Sequence, residues 1–374
     1  MPVTETNSFF KQKRTAAEIK SEILLSCFNT WYSFYLQQPN LKIYNLQYLD
    51  LLAGAGNPED VSPATILQTV VNAHETLPEL NESLQTYFYA AAKGASDKLK
   101  LDLEDQPFFA ALKNLPIHLP EAEATFTFSD TTATLLAADP FGAAYAQELL
   151  LKALNGAHTD LWLLFNLNKL KAATTPGKEK SLFAELFGAR WEPLKQMLQQ
   201  ETNLRKREQK SVEALENALR DQNYNCATLR INLPGKDQLQ YYLMVASKNK
   251  PLYFQFREIL EQHSDYQADG VPLFQVNQKP QPVELPEFFR YLHPYCQENL
   301  VEELANSRSR FHYSTIQEIY EEHVIGTPYR KLNYLQAFDN LKNQGLINLV
   351  DEKNKQVKKL DENAIVFYKL HRSK

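Results

Sequence analysis

The chain has 374 residues, 44% of them hydrophobic and 23% charged, the composition of a globular protein long enough for two or three cores. Its net charge of −5 is too mild to point to a polyanion partner by itself. Three widely spaced cysteines, Cys27, Cys226 and Cys296, exclude a disulfide framework and a C-x-x-C zinc site and fit a reducing compartment. With no apolar run near the ~18 residues of a membrane span and no signal-like stretch at the N-terminus, a cytoplasmic location is expected.

Residues 15–38 read as an amphipathic helix, with Ile19, Ile23, Leu24, Cys27, Phe28, Trp31 and Phe34 at three- and four-residue spacing. Leu46–Leu52 is a short apolar run ending in Gly54 and Gly56, which predicts a buried strand entering a tight turn. Ser62-Pro63 then caps and opens a helix over 64–71. Strand, glycine turn and helix form the opening unit of a doubly wound sheet. Further strands are predicted at 86–91, 124–129 (with Phe126 and Phe128 on one face), 134–138 and 160–165, with a helix ending near Leu154.

Residues 181–220 read as one long helical stretch. Its polar middle, ETNLRKREQK, suits a solvent-exposed segment better than a nucleic-acid contact. Alternating runs at 226–233 and 240–247 flank a turn at Gly235, so the sheet should close with an antiparallel pair. A proline-rich linker is expected within 268–297. Beyond it, Ser314 opens one helix and Thr327-Pro328 another, followed by strands at 346–350 and 365–370: a winged helix-turn-helix over 298–374. From Arg308 onward 12 Lys+Arg face 8 Asp+Glu, a basic balance that suits a DNA or RNA partner. The candidate contacts are Arg330, Lys331 and Lys342 on the second helix and Lys353, Lys355, Lys358 and Lys359 in the wing, opposed by Asp351, Glu352, Asp361 and Glu362. The bland alternative is that the winged helix binds a protein.

Two motifs carry chemistry. In D-L-L-A-G-A-G, glycines permit a nucleotide-like ligand to approach the backbone. The dinucleotide fingerprint fails because Glu59 stands where its third glycine belongs, and there is no P-loop. An acid four residues before G-x-G is similar to the first motif of S-adenosylmethionine methyltransferases, with Asp50, Ala53, Gly54 and Gly56 as the cofactor set; the alternative is a structural strand-to-helix turn. The second motif, Asp139-Pro140-Phe141-Gly142, follows a strand. An acid and a proline carbonyl there can accept hydrogen bonds from an exocyclic amine while an aromatic stacks on its base, as in amino-methyltransferases; the alternative is a proline turn with a capping Asp. Eight scattered histidines show no metal-ligand spacing.

With YLDLLAGAG at 48–56 and LLAADPFG at 135–142, the chain resembles the three-Cys-motif partner proteins, a bacterial group with a methyltransferase-like fold. Lys20 with its helix, Ser62-Pro63, TDLWLLFN at 159–166, YYLMVASK at 241–248 and the C-terminal pattern also carry the resemblance. It implies a doubly wound, Rossmann-like class I methyltransferase domain over 1–267, S-adenosylmethionine as cofactor and a genomically adjacent partner bearing the three cysteines. The expected activity is amino-methyl transfer to a nucleic acid, with Asp139, Pro140, Phe141 and Gly142 at the target; the rival is a non-catalytic binding protein. One departure favours the rival: the second strand should end in an acid for the cofactor's ribose, and none precedes Asp97.

Overall fold

A capping box opens the first helix. The Thr15 hydroxyl accepts from Glu18 N, and the Glu18 carboxylate accepts from Thr15 N at 2.7 Å. This helix, α1 (Ala16–Leu36), presents the apolar stripe read from the sequence. The computed structural model describes residues 15–52, 63–74, 83–89, 95–110, 117–118, 126–173, 181–236, 238–277, 293–357 and 360–369. The chain divides into two compact units, Met1–His263 and Ser264–Lys374.

The first unit is α/β. Its strands are β1 (Asn45–Asp50), β2 (Leu84–Phe88), β3 (Ile117–His118), β4 (Thr132–Ala138), β5 (Thr159–Phe165), β6 (Asn225–Asn232) and β7 (Leu239–Ser247). They lie in the order β3-β2-β1-β4-β5-β7-β6. The pairs from β3 to β5 are parallel, whereas β7 runs antiparallel to both β5 and β6. All seven residues of β5 are buried, because parallel strands are covered on both faces. On one face α1 packs against α9 (Lys250–His263), and the Phe28 ring meets Tyr48 of β1 edge-on at 5.3 Å. The opposite face is covered by α4 (Ala144–Leu154), α6 (Ser181–Phe187), α7 (Trp191–Gln200) and α8 (Leu204–Arg220), whose Leu150, Phe183, Trp191 and Leu215 join Leu136 and Leu163 in one core. The other helices here are α2 (Pro63–His74), α3 (Ala95–Glu104) and α5 (Asn168–Ala173).

Several expectations are corrected. The stretch expected as a strand at 124–129 is not one over its described part: Phe126 and Phe128 alternate inward, but the backbone joins no ladder. The 181–220 stretch breaks twice. Gly188, at φ +54°, ends α6, and Asn203 starts α8 anew by accepting from Lys206 N at 3.1 Å. Helices α3, α5 and α9 form where the sequence pattern predicts none.

In the second unit, part of the expected linker is ordered. Asp265 N donates to Gln275 O in β8 (Gln275–Val276), and the Asp269 carboxylate accepts from Gln297 N at 2.7 Å. Helices α10 (Gln297–Asn306), α11 (Arg308–Phe311), α12 (Ile316–His323) and α13 (Lys331–Asn343) precede an antiparallel hairpin of β9 (Ile347–Val350) and β10 (Ile365–Tyr368). Thr315, not Ser314, caps α12, through a capping box with Glu318. The next helix starts at Lys331 rather than Thr327, because the Thr327 hydroxyl is used on Val324 O while Asn333 Oδ1 accepts from Arg330 N.

Candidate active site at the carboxyl edge of the sheet

The order of strands reverses between β1 and β4, the point where open α/β sheets bind ligands beyond the carboxyl ends of their strands. Two acids stand there. Asp50 ends β1 and is paired in register with Ala137, two residues before Asp139. It is 3% exposed. Its Oδ1 accepts from Leu52 N at 2.8 Å and its Oδ2 from the Tyr48 hydroxyl at 3.3 Å, so the carboxylate fixes the start of the glycine turn. A cavity of about 10 Å³, room for one water, is lined by Asp50, Trp162 and Lys20. Lys20 is itself buried, so cation and carboxylate face the same space. Ala53, Gly54 and Gly56 lie outside the described residues.

Asp139 organises its own turn. Oδ1 accepts from Phe141 N at 2.9 Å, and the Asp139 carbonyl accepts from Gly142 N at 2.9 Å. A Cβ at position 142 would lie 2.9 Å from that carbonyl oxygen, so the turn closes only on glycine. Pro140 is buried beside it. The outward oxygen, Oδ2, takes Lys169 Nζ of α5 at 2.9 Å. Burial raises the Asp139 carboxyl above its ordinary pKa, against the opposing pull of Lys169 and the Phe141 N–H. The Lys169 side chain is 54% exposed, and an ion pair this wet is worth roughly 0–1 kcal/mol.

The expected stacking role of Phe141 is corrected. Its ring has no exposed surface and meets Phe165 at 5.3 Å, Phe183 at 5.9 Å and Phe187 at 6.3 Å. It anchors the turn to the core. The end of β2 carries no acid: the strand begins two residues earlier than expected, and Tyr89 follows it, donating its N–H to Asp50 O at 2.8 Å. The Tyr89 ring stacks on Tyr145 of α4 at 4.3 Å. Lys169, Tyr89 and Tyr145 were missed in the sequence. Only the topology brings them to the carboxyl edge.

Five of the basic residues expected to touch nucleic acid are among the described residues. Arg330 lies over the Tyr266 ring at 4.7 Å, and Lys331 pairs with Glu362 at 2.7 Å. Lys342 stands at the other end of α13, roughly 16 Å along the axis from Lys331. Lys353 and Lys355 are exposed in a loop folded around Asp351, which accepts from both of their N–H groups. Lys358 and Lys359 lie outside the described residues.

No family model and no curated protein matches the chain. Solved structures with partial likeness include the plantazolicin methyltransferase BpumL in complex with SAH (10% identity, 63% of this chain and 86% of that one, TM-score 0.31). Others are a predicted O-methyltransferase from Agrobacterium tumefaciens (13%, 54% and 74%, 0.28) and the 16S rRNA methyltransferase KamB (13%, 57% and 92%, 0.29). At such TM-scores these likenesses carry no weight in assigning an activity. Among the described residues no helix is long and apolar enough to cross a membrane.

Proposed function

We propose that the first unit is an S-adenosylmethionine-dependent amino-methyltransferase acting on a nucleic acid, and that the chain is of the three-Cys-motif partner type. The observation that carries this reading is the placement of Asp50 and the Asp139-Pro140-Phe141-Gly142 turn at neighbouring strand ends across the switch point. The order β3-β2-β1-β4-β5-β7-β6 with only β7 reversed is also that of class I methyltransferase sheets.

The residues present fit the cofactor at one end. Asp50 and the glycine turn would hold it; β2 ends without the expected ribose carboxylate, and Tyr89, the next residue, stacks on Tyr145. S-adenosylmethionine bound there would supply an electrophilic methyl group. Asp139 Oδ2, once released by Lys169, accepts a hydrogen bond from the target amine, and the Pro140 carbonyl can accept a second. Both acceptors aim the nitrogen lone pair without a strong base. The second unit has the helix and hairpin order of a winged helix. The exposed positions of α13 are Leu332, Gln336, Asp339, Asn340 and Asn343, while Lys331 and Lys342 are half-buried, which favours a protein partner for that helix.

The rival reading, a domain that binds without turnover, is favoured by the acid missing from β2 and the lysine held on Asp139. Thermal melting separates the two. S-adenosylhomocysteine at about 100 times its Kd should stabilise the protein by about 2.7 kcal/mol. Gly54→Val should abolish that shift, while Asp139→Asn keeps it and loses methyl transfer to DNA or RNA. No shift in the wild type at millimolar ligand would reject the cofactor assignment.

A further inference from the structure

The corner between α11 and α12 gathers three aromatic rings in the second unit. His312 and Tyr313 follow α11, and Phe367 stands on β10. The Tyr313 ring lies 4.0 Å from His312 and 4.4 Å from Phe367, and His312 lies 5.7 Å from Phe367, each pair meeting edge to face. Even so, Tyr313 is 63% exposed. An exposed aromatic cluster, unlike a lone apolar side chain, marks an interaction site.

The backbone at this corner is strained. Tyr313 has φ +72°, the left-handed region that a bulky side chain rarely adopts. Its surroundings impose it. Tyr313 N donates to Val366 O and Val366 N to Ser314 O, both at 2.9 Å, while Tyr368 N donates to His312 Nδ1 at 3.1 Å. Asparagine takes up this conformation more readily than tyrosine, so backbone stability does not select the ring. Strain that the surroundings over-determine points to a side chain with a task. The Tyr368 bond also sets the His312 tautomer: Nδ1 accepts, so the neutral ring carries its proton on Nε2 as a donor.

The charges around the corner choose the partner. Residues 306–317 and 363–369, joined by the bridge between Thr315 and Ile365, contain Arg308, Arg310 and Lys369 and no acid, in a chain of net charge −5. Of the acids on adjoining turns, Glu318 closes the capping box on Thr315, Glu322 pairs with Arg310 and Glu362 pairs with Lys331. Lys369 is exposed just beyond β10. Asn348, also exposed, is paired in register with Phe367 across the hairpin, and its amide can bond the edge of a base. Aromatic rings interleaved with cations fit a single-stranded nucleic acid, whose unpaired bases stack while its phosphates meet the cations. A duplex keeps its base faces covered and offers nothing for such a ring to stack on.

We propose that this corner stacks an unpaired base on Tyr313, with His312 and Phe367 supporting the ring and Lys369 meeting an adjoining phosphate. The proposal rests on the reading of the chain as one that acts on nucleic acid.

The test is fluorescence anisotropy on the full chain over a salt series, with a labelled twelve-nucleotide single strand and an abasic strand of the same length. Losing one stacked base weakens binding about 5- to 150-fold. Tyr313→Asn should lose that much on the base-bearing strand, keep the wild-type salt slope and bind the abasic strand as the wild type does. It should melt no lower than the wild type, and Tyr313→Phe should bind normally. Lys369→Ala should lower the slope of log affinity against log salt by about 0.7 on both strands. Tyr313→Asn binding within twofold of wild type overturns the proposal, as does an equal loss on both strands. A loss that comes with a lower melting temperature and that Tyr313→Phe shares makes the ring structural and overturns it too. Wild type that fails to bind either strand at about 0.1 M salt leaves the corner to a protein partner. The S-adenosylhomocysteine shift, measured on the same samples, separates the two readings. If it is present while Tyr313→Asn binds normally, only this surface fails. If it is absent while Tyr313→Asn loses the strand, only the cofactor assignment fails.

Discussion

Replacing Phe141 decides between an anchor in the core and a ring offered to a base. The ring has no exposed surface and three aromatic neighbours within 6.3 Å. Phe141→Ala should therefore cost about 3–5 kcal/mol, the usual range for a buried Phe cut back to its Cβ. The aromatic contacts contribute roughly 0.5–1.5 kcal/mol each beyond burial. Phe141→Leu keeps most of the volume and should cost about 1 kcal/mol. The assay is built into the chain: Trp31, Trp162 and Trp191 all lie in the first unit, and Trp191 stacks on Phe183 at 5.6 Å and Phe187 at 5.8 Å. Guanidinium unfolding followed by tryptophan emission thus reports on the unit that holds position 141. The midpoint should fall at constant slope, more for Ala than for Leu. If Phe141→Ala stays within 0.5 kcal/mol of wild type yet loses methyl transfer, the ring faces a ligand and the anchoring account is wrong.

Three further outcomes are expected. Asp160 is buried against the Tyr35 hydroxyl at 2.9 Å and Ser247 at 2.5 Å, and burial lifts its carboxyl to about 6. Since the unfolded value is about 3.9, the folded chain holds this proton longer; its stabilising effect is complete below pH 4 and lost as pH rises towards 6, by about 3 kcal/mol. Unfolding curves across that window should slope less for Asp160→Asn, and equal slopes would remove Asp160 as the source. Lys169→Met removes a group that lowers the Asp139 pKa, so the acid limb of any methyl-transfer profile should move to higher pH; an unmoved limb would show that Asp139 does not titrate in the reaction. Gly142→Ala pushes a methyl to within 2.9 Å of the Asp139 carbonyl and should cost about 1–3 kcal/mol, read as a lower melting temperature with lost activity; normal melting would mean the turn yields freely.

The strands nearest the site were legible because burial on both faces leaves a plain mark. Leu46–Leu52, 134–138 and 160–165 are apolar runs bounded by turn residues, and β1, β4 and β5 form where they stand. Alternation misled at Phe126 and Phe128, since an inward-outward rhythm reports a face and not a hydrogen-bonded neighbour. The acid and glycine of the 139–142 turn were readable as local chemistry. The burial of Phe141 was not, because Phe183 and Phe187 cover it from a helix more than forty residues away. Lys169 reaches Asp139 only because β5 lies beside β4, so no local motif could have announced it. The cations of α8 read from the sequence as a solvated stretch, and only the fold sets Arg205 and Arg207 along one cavity with Arg230.

The reversed direction of β7 has a consequence for how this fold can diverge. In a fully parallel sheet, the link between the last two strands would have to cross a face in a dozen residues or more. Here it is a short hairpin, closed by Leu233 N donating to Gln238 O at 2.9 Å and turned at Gly235 with φ +70°. Gln238 lines a cavity of about 490 Å³ together with Glu208 and Arg230. Extra residues at this turn would extend a flap over the opening without altering any strand pairing, and doubling the length of such a loop costs only about 0.6 kcal/mol. This hairpin can therefore vary in length while the strand pairings that set Asp50 and Asp139 in place stay as they are.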